Sequence, residues 1–235
     1  MKNYLLNRKD LFTNLIYVNN IGKKTPEELL ELASIIGEVP LPKTENQIRR
    51  FKALGEIPGV IKVTAGGLFG HKEVLDWHAN LPSDPNRCSL ILIYANKNSE
   101  GSITSWIDNR QSYDDLPKDI KERCKDIKFT CGFKRGNYTD DKFFNEHHNK
   151  DLIHNLVYTN EEGIKGLFFP FLQIMEGIPT DLFDYLKQHI LQDKYRYDHH
   201  WKDGDVVISE QWLTIHKRHA FENMNERLMY RIAIK

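Results

Sequence analysis

The sequence predicts a mainly β protein, a sandwich or barrel with helices at its periphery. Three observations carry that expectation. Short apolar runs rich in β-formers recur in both halves, at Val60 to Thr64, Ser89 to Ala95 and Val206 to Ser209, with turn residues around them. The last segment, Leu228 to Ile234, sets Leu, Tyr, Ile and Ile against Met, Arg and Ala, the alternation of a half-buried strand. Helical periodicity is confined to three segments that precede or separate these runs, so the regular βαβ alternation of a parallel sheet is missing.

Near the N-terminus, Thr25-Pro26-Glu27-Glu28 has the form of a capping box with proline at the first helical position. The helix that follows carries LLELASII and stops at Gly37. A second helix is predicted from about Leu116 to Ile127, with Pro117 near its first turn. A third follows Thr180, where Leu182, Phe183, Leu186 and Ile190 form one apolar stripe. The turn Lys202-Asp203-Gly204-Asp205 leads into the Val206 strand. There is no internal repeat and no Pro/Gly/Ser-rich linker, so residues 1–235 are expected to form one domain, with about 1–60 as an N-terminal helical extension.

Composition narrows the function classes. Hydrophobic residues make up 40% of the chain, enough for a substantial core. Lys plus Arg (33) equals Asp plus Glu (33), so no overall field draws the protein to nucleic acid or an anionic membrane. The longest basic cluster, Lys217-Arg218-His219, is a short one. Cys88, Cys124 and Cys131 have no CxxC spacing, which points to reduced thiols in a cytoplasmic protein rather than a disulfide framework or zinc site. No apolar run approaches the roughly 20 residues that span a bilayer, and the N-terminus does not look like a signal peptide. No GxGxxG or Walker-type loop is present, which leaves a nucleotide fold without local support.

Two settings could carry chemistry. In Leu75-Asp76-Trp77-His78-Ala79-Asn80, an extended chain puts Asp76, His78 and Asn80 on one face. That face suits a polar cavity, although a satisfied core histidine reads equally well there. The second setting runs from Trp201 through Asp205 to His216, Arg227 and Arg231. A guanidinium among the buried neighbours of a strand needs a partner. A bound dicarboxylate would supply one in bidentate form; a solvated strand edge, or a salt bridge to Glu222 or Glu226, would also do so. The pairs His147-His148 and His199-His200 lie in polar segments and are expected to be exposed and structural.

Taken together, these segments resemble the taurine dioxygenase-like branch of the Fe(II)/2-oxoglutarate oxygenases, from about Val63 to the C-terminus. Gly67-Leu68-Phe69-Gly70 followed by Leu75-Asp76-Trp77-His78 is similar to the approach to that family's first metal histidine. Gly101-Ser102-Ile103-Thr104-Ser105-Trp106, with Tyr113 and Leu116-Pro117, is similar to its G-x-T-x-W…Y…L segment. His154-Asn155-Leu156-Val157 with Glu162-Gly163 resembles its H-P-x-V segment, and Trp201-x-x-Gly204-Asp205 with His216 and Arg227 its distal histidine and arginine. The resemblance implies a double-stranded β-helix (a jelly-roll or cupin-like barrel), Fe(II) as metal, and 2-oxoglutarate and O2 as co-substrates. It makes His78 and His216 metal ligands with Asn80 in the third position, and Thr104 and Arg227 the 2-oxoglutarate contacts. Arg231, with Asp76 and His71, would lie near a polar small-molecule substrate.

At one position the sequence departs from the family. Where the resemblance leads one to expect His-x-Asp or His-x-Glu, it has His78-Ala79-Asn80. A carboxamide oxygen has the same reach as a carboxylate but is a neutral, weaker donor to a hard cation. Three outcomes follow. Asn80 ligates, or Asp76 or Asp84 substitutes, and hydroxylation survives; an anion such as chloride takes the position and the enzyme halogenates; or the chain binds metal or ligand without turnover. The segment from Phe129 to Asn149, with Gly132 and Gly136, is the candidate lid.

Overall fold

A computed structural model describes residues 7–41, 55–64, 74–132, 151–222 and 226–235. The chain opens with helix α1 (Arg8–Asn14), capped by the Asn7 side chain, and strand β1 (Ile16–Asn20). Helix α2 (Pro26–Ile36) has both halves of the expected capping box: Glu28 N–H donates to Thr25 Oγ1, and Thr25 N–H donates to the Glu28 carboxylate. It ends at Gly37, where a Cβ would lie 2.3 Å from the Lys235 carbonyl oxygen. Glycine is needed there because the C-terminus passes against the helix end.

The main sheet is antiparallel, in the order β1-β13-β5-β15-β3-β2. Its further strands are β2 (Gly55–Ile57), β3 (Val60–Val63), β5 (Leu90–Lys97), β13 (Asp205–Glu210) and β15 (Leu228–Ile234). A second antiparallel sheet runs β12-β6-β14-β4, from β4 (Leu75–His78), β6 (Ile103–Asp108), β12 (Arg196–His200) and β14 (Thr214–Arg218). Helices α3 (Asn109–Asp114), α4 (Lys118–Cys124) and α5 (Thr180–Ile190) and two smaller sheets complete the fold. The smaller sheets hold β7 (Lys128–Cys131), β8 (Ile153–Asn155) and β11 (Ile174–Glu176), and β9 (Val157–Thr159) with β10 (Lys165–Leu167). No helix among the described residues is long and apolar enough to cross a membrane.

Packing follows from strand alternation. On one face of the main sheet, Leu92, Tyr94, Ile208 and Ile232 pack against Leu11 and Phe12 of α1 and Leu29 and Ala33 of α2. On the other, Ala95, Val207 and Met229 meet Trp106 of the second sheet and Trp201. The far face of the second sheet, with Ile107 and Ile215, is covered by α4, α5 and Phe129, Phe168 and Phe169. The fold is therefore mainly β and of jelly-roll type, with two facing sheets that do not close into a barrel among the described residues.

The C-terminal strand keeps the expected alternation, with Tyr230, Ile232 and Ile234 buried and Arg231 and Ala233 half-buried, and departs from it at Met229. Met229 is as buried as Tyr230 and Ile232, because β15 lies inside the sheet with helices on one side and the second sheet on the other. The second predicted helix appears as α4, shorter than expected and starting directly after Pro117, whose ring suits a helix start; α3, just before it, was not anticipated. The capping box gives a direct check. Thr25→Ala removes a hydroxyl that satisfies a first-turn N–H, and urea unfolding should show a loss of about 1 kcal/mol.

Candidate functional site

The site forms where the second sheet turns polar residues toward the main sheet. His216 on β14 lies opposite His78 on β4 and opposite Trp106 on β6. The imidazole centroids are 4.2 Å apart, and the Trp106 ring stacks near His216 at 6.2 Å. Alternation along β14 divides the basic run. Arg218 is buried on the histidine side, while Lys217 projects oppositely, over Trp77, and pairs with Asp76 at 3.2 Å. Lys217-Arg218-His219 is thus not a basic patch.

Both imidazoles are neutral near pH 7. Burial pushes His78 down to about 4; a hydrogen bond to the Asp76 backbone opposes this, and the Arg231 and Arg218 charges add to it. His216 falls well below its ordinary value, through burial and then the neighbouring His78 and Arg231. The Asp76 carbonyl accepts from His78 Nδ1 at 2.7 Å, so the proton sits on Nδ1 and Nε2 keeps its lone pair. His216 Nδ1 is buried with no hydrogen-bond partner. Two neutral, desolvated imidazoles in contact, one with an orphaned nitrogen, fit a divalent transition metal.

The third position differs from a carboxylate site in kind. Asn80 Oδ1 accepts from Arg231 Nη1 at 3.1 Å, and its Nδ2 donates to Gln211 Oε1 at 2.8 Å. Asp76 does not substitute. A register irregularity in β4 leaves it exposed, with its carboxylate on Lys217 and on the Trp77 N–H. Asp84 is buried and accepts from the Asn86 N–H within its own turn. Among the described residues, no group of three His, Cys, Asp or Glu converges. The donor set present is two imidazoles and one carboxamide.

Arg227 is 2% exposed and lies over the Phe221 ring at 5.6 Å; among the described residues its Nε and Nη1 have no hydrogen-bond partner. Burial, followed by the charge of Arg218, lowers it to about 10. Glu222 and Glu226 are exposed and form no ion pair with it among the described residues. Thr104, buried on β6, lies opposite Arg218. Its Oγ1 accepts from Trp201 Nε1 at 2.9 Å, which leaves the hydroxyl proton free to donate. These groups suit an anion bearing carboxylates. His71, His147, His148 and residues 133–149 of the expected lid lie outside the described residues.

Sequence reasoning missed three participants. Gln211 and Arg218 lie in a stretch whose strand has no apolar alternation to mark it. Arg87 sits between the rings of Phe168 and Trp212, at 4.7 and 4.4 Å, and donates to the Gln211 carbonyl. The expectation for His199 was wrong. It is 7% exposed and bonded to Asp205 Oδ2 and Tyr197 Oη, both at 3.1 Å, and its ring meets Trp201 edge-on. That clasp fixes the turn into β13.

A touching pair of neutral histidines between facing antiparallel sheets, with a desolvated arginine in the same fold, suits a metal-dependent jelly-roll protein. The chain belongs to the taurine catabolism dioxygenase TauD, TfdA family, which it matches over residues 9–233. It is similar to pentalenolactone F synthase of Streptomyces avermitilis, 23% identical over 189 residues, and spans 61% of the length of that relative and 69% of its own. Among solved structures it resembles AAD-2 in complex with Mn(II) and N-oxalylglycine, with a TM-score of 0.76 and 22% identity over 95% of this chain and 85% of that one. It also resembles a taurine dioxygenase from Burkholderia xenovorans, with a TM-score of 0.70 and 15% identity over 94% of this chain and 76% of the other.

Two predictions follow from burial. Replacing an unpaired buried cation by an apolar side chain of similar length removes a desolvation cost, so Arg227→Met should stabilise the ligand-free protein to urea by about 1 kcal/mol. His154, packed on Phe168, is pushed from 6.5 down to about 4 by burial and then by the Arg87 charge. The folded state therefore binds fewer protons than the unfolded state in that window. The stability is complete above pH 6.5 and is lost as pH falls toward 4. Glu210, raised to about 7 by burial, acts in the opposite sense. In His154→Phe, the fall in melting temperature between pH 6.5 and 4 should be smaller than in the unaltered protein.

Proposed function

We propose that this protein is a non-haem Fe(II), 2-oxoglutarate-dependent oxygenase that hydroxylates a small polar molecule. The observation that carries the proposal is the buried guanidinium of Arg227, whose Nε and Nη1 are unbonded among the described residues and whose charged neighbour, Arg218, also acts on His78 of the touching histidine pair. A permanently charged group in that position needs an anion, and a dicarboxylate that also reaches the metal answers both requirements. The family supports this reading, as does the fold shared with AAD-2, a protein whose structure holds Mn(II) and N-oxalylglycine.

In this reading His78 and His216 hold the iron, with Asn80 Oδ1 as third donor, and Arg227 and Thr104 hold 2-oxoglutarate. When bound, iron and 2-oxoglutarate supply the activation of O2. The chain's own part is placement. The Asp76 carbonyl fixes the His78 tautomer, as partners behind metal-bound histidines commonly do. Trp201 takes one lone pair of Thr104 Oγ1 and so turns its proton outward. Trp106 and Met229 exclude water from the floor of the site. Arg231, which contacts Asn80, is the group assigned to a polar or anionic part of the substrate. Asp76, occupied by Lys217, is not. Asn80, bonded at both ends, leaves a halogenating alternative without support. The three free cysteines accord with a cytoplasmic protein.

Anaerobic addition of Fe(II) and 2-oxoglutarate should produce a visible metal-to-ligand charge-transfer band, and Arg227→Met should abolish it. 2-Oxoglutarate with Mn(II) should also raise the melting temperature of the unaltered protein but not of Arg227→Met. No band at saturating iron, or equal thermal shifts in both proteins, would overturn the assignment.

A further inference from the structure

The hydrogen bonds around Asn80 distinguish an amide from a carboxylate. Gln211, 1% exposed, donates through Nε2 to the Ser209 carbonyl at 3.1 Å and to Ser209 Oγ at 3.0 Å. A carbonyl oxygen only accepts, so the nitrogen end of Gln211 must face Ser209 and its Oε1 must face away. That oxygen accepts from Asn80 Nδ2 at 2.8 Å, which orients the second amide in turn and turns Asn80 Oδ1 to Arg231 Nη1. The relay has one direction from end to end. Its base is held firmly, since Gln211 donates its own N–H to the Ser89 carbonyl at 2.8 Å and accepts from Arg87 at its carbonyl.

We propose that Gln211 is a positioning residue that selects a carboxamide over a carboxylate at residue 80 and aims the amide oxygen at the interior beside Arg231. The relay itself needs no metal; only its consequence, an oriented neutral donor as third ligand, rests on the oxygenase reading. An Asn80→Asp carboxylate would set an acceptor 2.8 Å from the Gln211 acceptor. If Gln211 turned over to relieve this, its oxygen would face the Ser209 carbonyl. Either way one buried pairing is lost. The Arg231 charge pulls the other way and favours a carboxylate, so a single substitution mixes two effects. Non-additivity with Gln211 separates them.

The test is a cycle of unaltered protein, Asn80→Asp, Gln211→Met and the double variant, read by melting temperature without metal and by Co(II) titration with its visible d–d spectrum. With Gln211 in place, Asn80→Asp should melt about 3 °C lower, relative to its parent, than it does in the Gln211→Met background. Asn80→Asp should tighten Co(II) by about tenfold more once Gln211 is replaced. Gln211→Met alone should change the Co(II) spectrum, because the freed amide can turn. Equal effects of Asn80→Asp in both backgrounds would overturn the proposal. If Gln211→Met does not fold, Gln211→Glu takes its place. It sets two carboxylates together, so the double variant must be worse than the sum of its singles, and additivity there also overturns the proposal. Failure of Co(II) to bind in any variant would count against the oxygenase reading, and the melting-temperature cycle would still decide the role of Gln211.

Discussion

The cross-strand contact between His78 and His216 is the constraint on which the rest of the site depends. It exists in one register only. A slip of β14 by one residue would bring Ile215 inward and send His216 to the outer apolar layer. The same register puts Arg218 opposite Thr104 and sends Lys217 outward over Trp77. One pairing therefore sorts which basic groups are desolvated and which are solvated. It also sets the protonation of the pair, since two touching, desolvated imidazoles near the Arg231 charge stay neutral.

An interior of this kind is costly, and the layers around it offset the cost. Arg227 sits desolvated over the Phe221 ring, with Nε and Nη1 unbonded among the described residues, and burying a charge without an ion partner costs several kcal/mol in general. The apolar faces lie elsewhere. Leu29, Leu92, Ile208 and Ile232 are fully or almost fully buried on the helix side of the main sheet, as are Leu182, Leu186 and Ile215 beyond the second. Each contributes about 2 kcal/mol on burial. The architecture thus places stability in the two outer layers and leaves the space between the sheets to polar groups. Trp106, Trp201, Val207, Met229 and Ala95, with Ile16, Val63 and Ile93 packed against them, close that space at its floor.

This division explains what the sequence revealed. Helix α2 was legible from Thr25 to Gly37 because its signals are local: a reciprocal cap at one end and a glycine forced by close approach at the other. Strands β5, β13 and β15 were legible because helices cover one face and apolar residues mark it. Strand β14, Thr-Ile-His-Lys-Arg, was not, since the face that would show alternation carries the site instead. His199 was misread for the same reason. Its partner Asp205 is six residues away across a turn, and no spacing rule marks that pair. The shared face expected for Asp76, His78 and Asn80 failed at Asp76, where the β4–β14 register shifts. Gln211 gave no signal at all, because its role is set by which end of an amide meets which end of another.

The neutral third donor bears on the electrostatics of the whole proposed centre. With two imidazoles and a carboxamide, the side-chain donors carry no charge, whereas a carboxylate would contribute one negative charge at contact distance. At an effective dielectric of about 20, a unit pair a few ångströms apart interacts by about 4 kcal/mol, so the difference is large on the scale of metal affinity. Arg231 lies on the amide oxygen itself and lowers the affinity for a cation further. What balances the ion must then come from bound anions. In the proposed centre the buried Arg227, with Nε and Nη1 unbonded among the described residues, would recruit one. A site built this way couples metal retention to occupancy of the dicarboxylate pocket more tightly than a site with its own carboxylate would. In the proposed centre the asparagine and the buried arginine would then form a single feature: the negative charge absent from the first would be supplied by the ligand of the second.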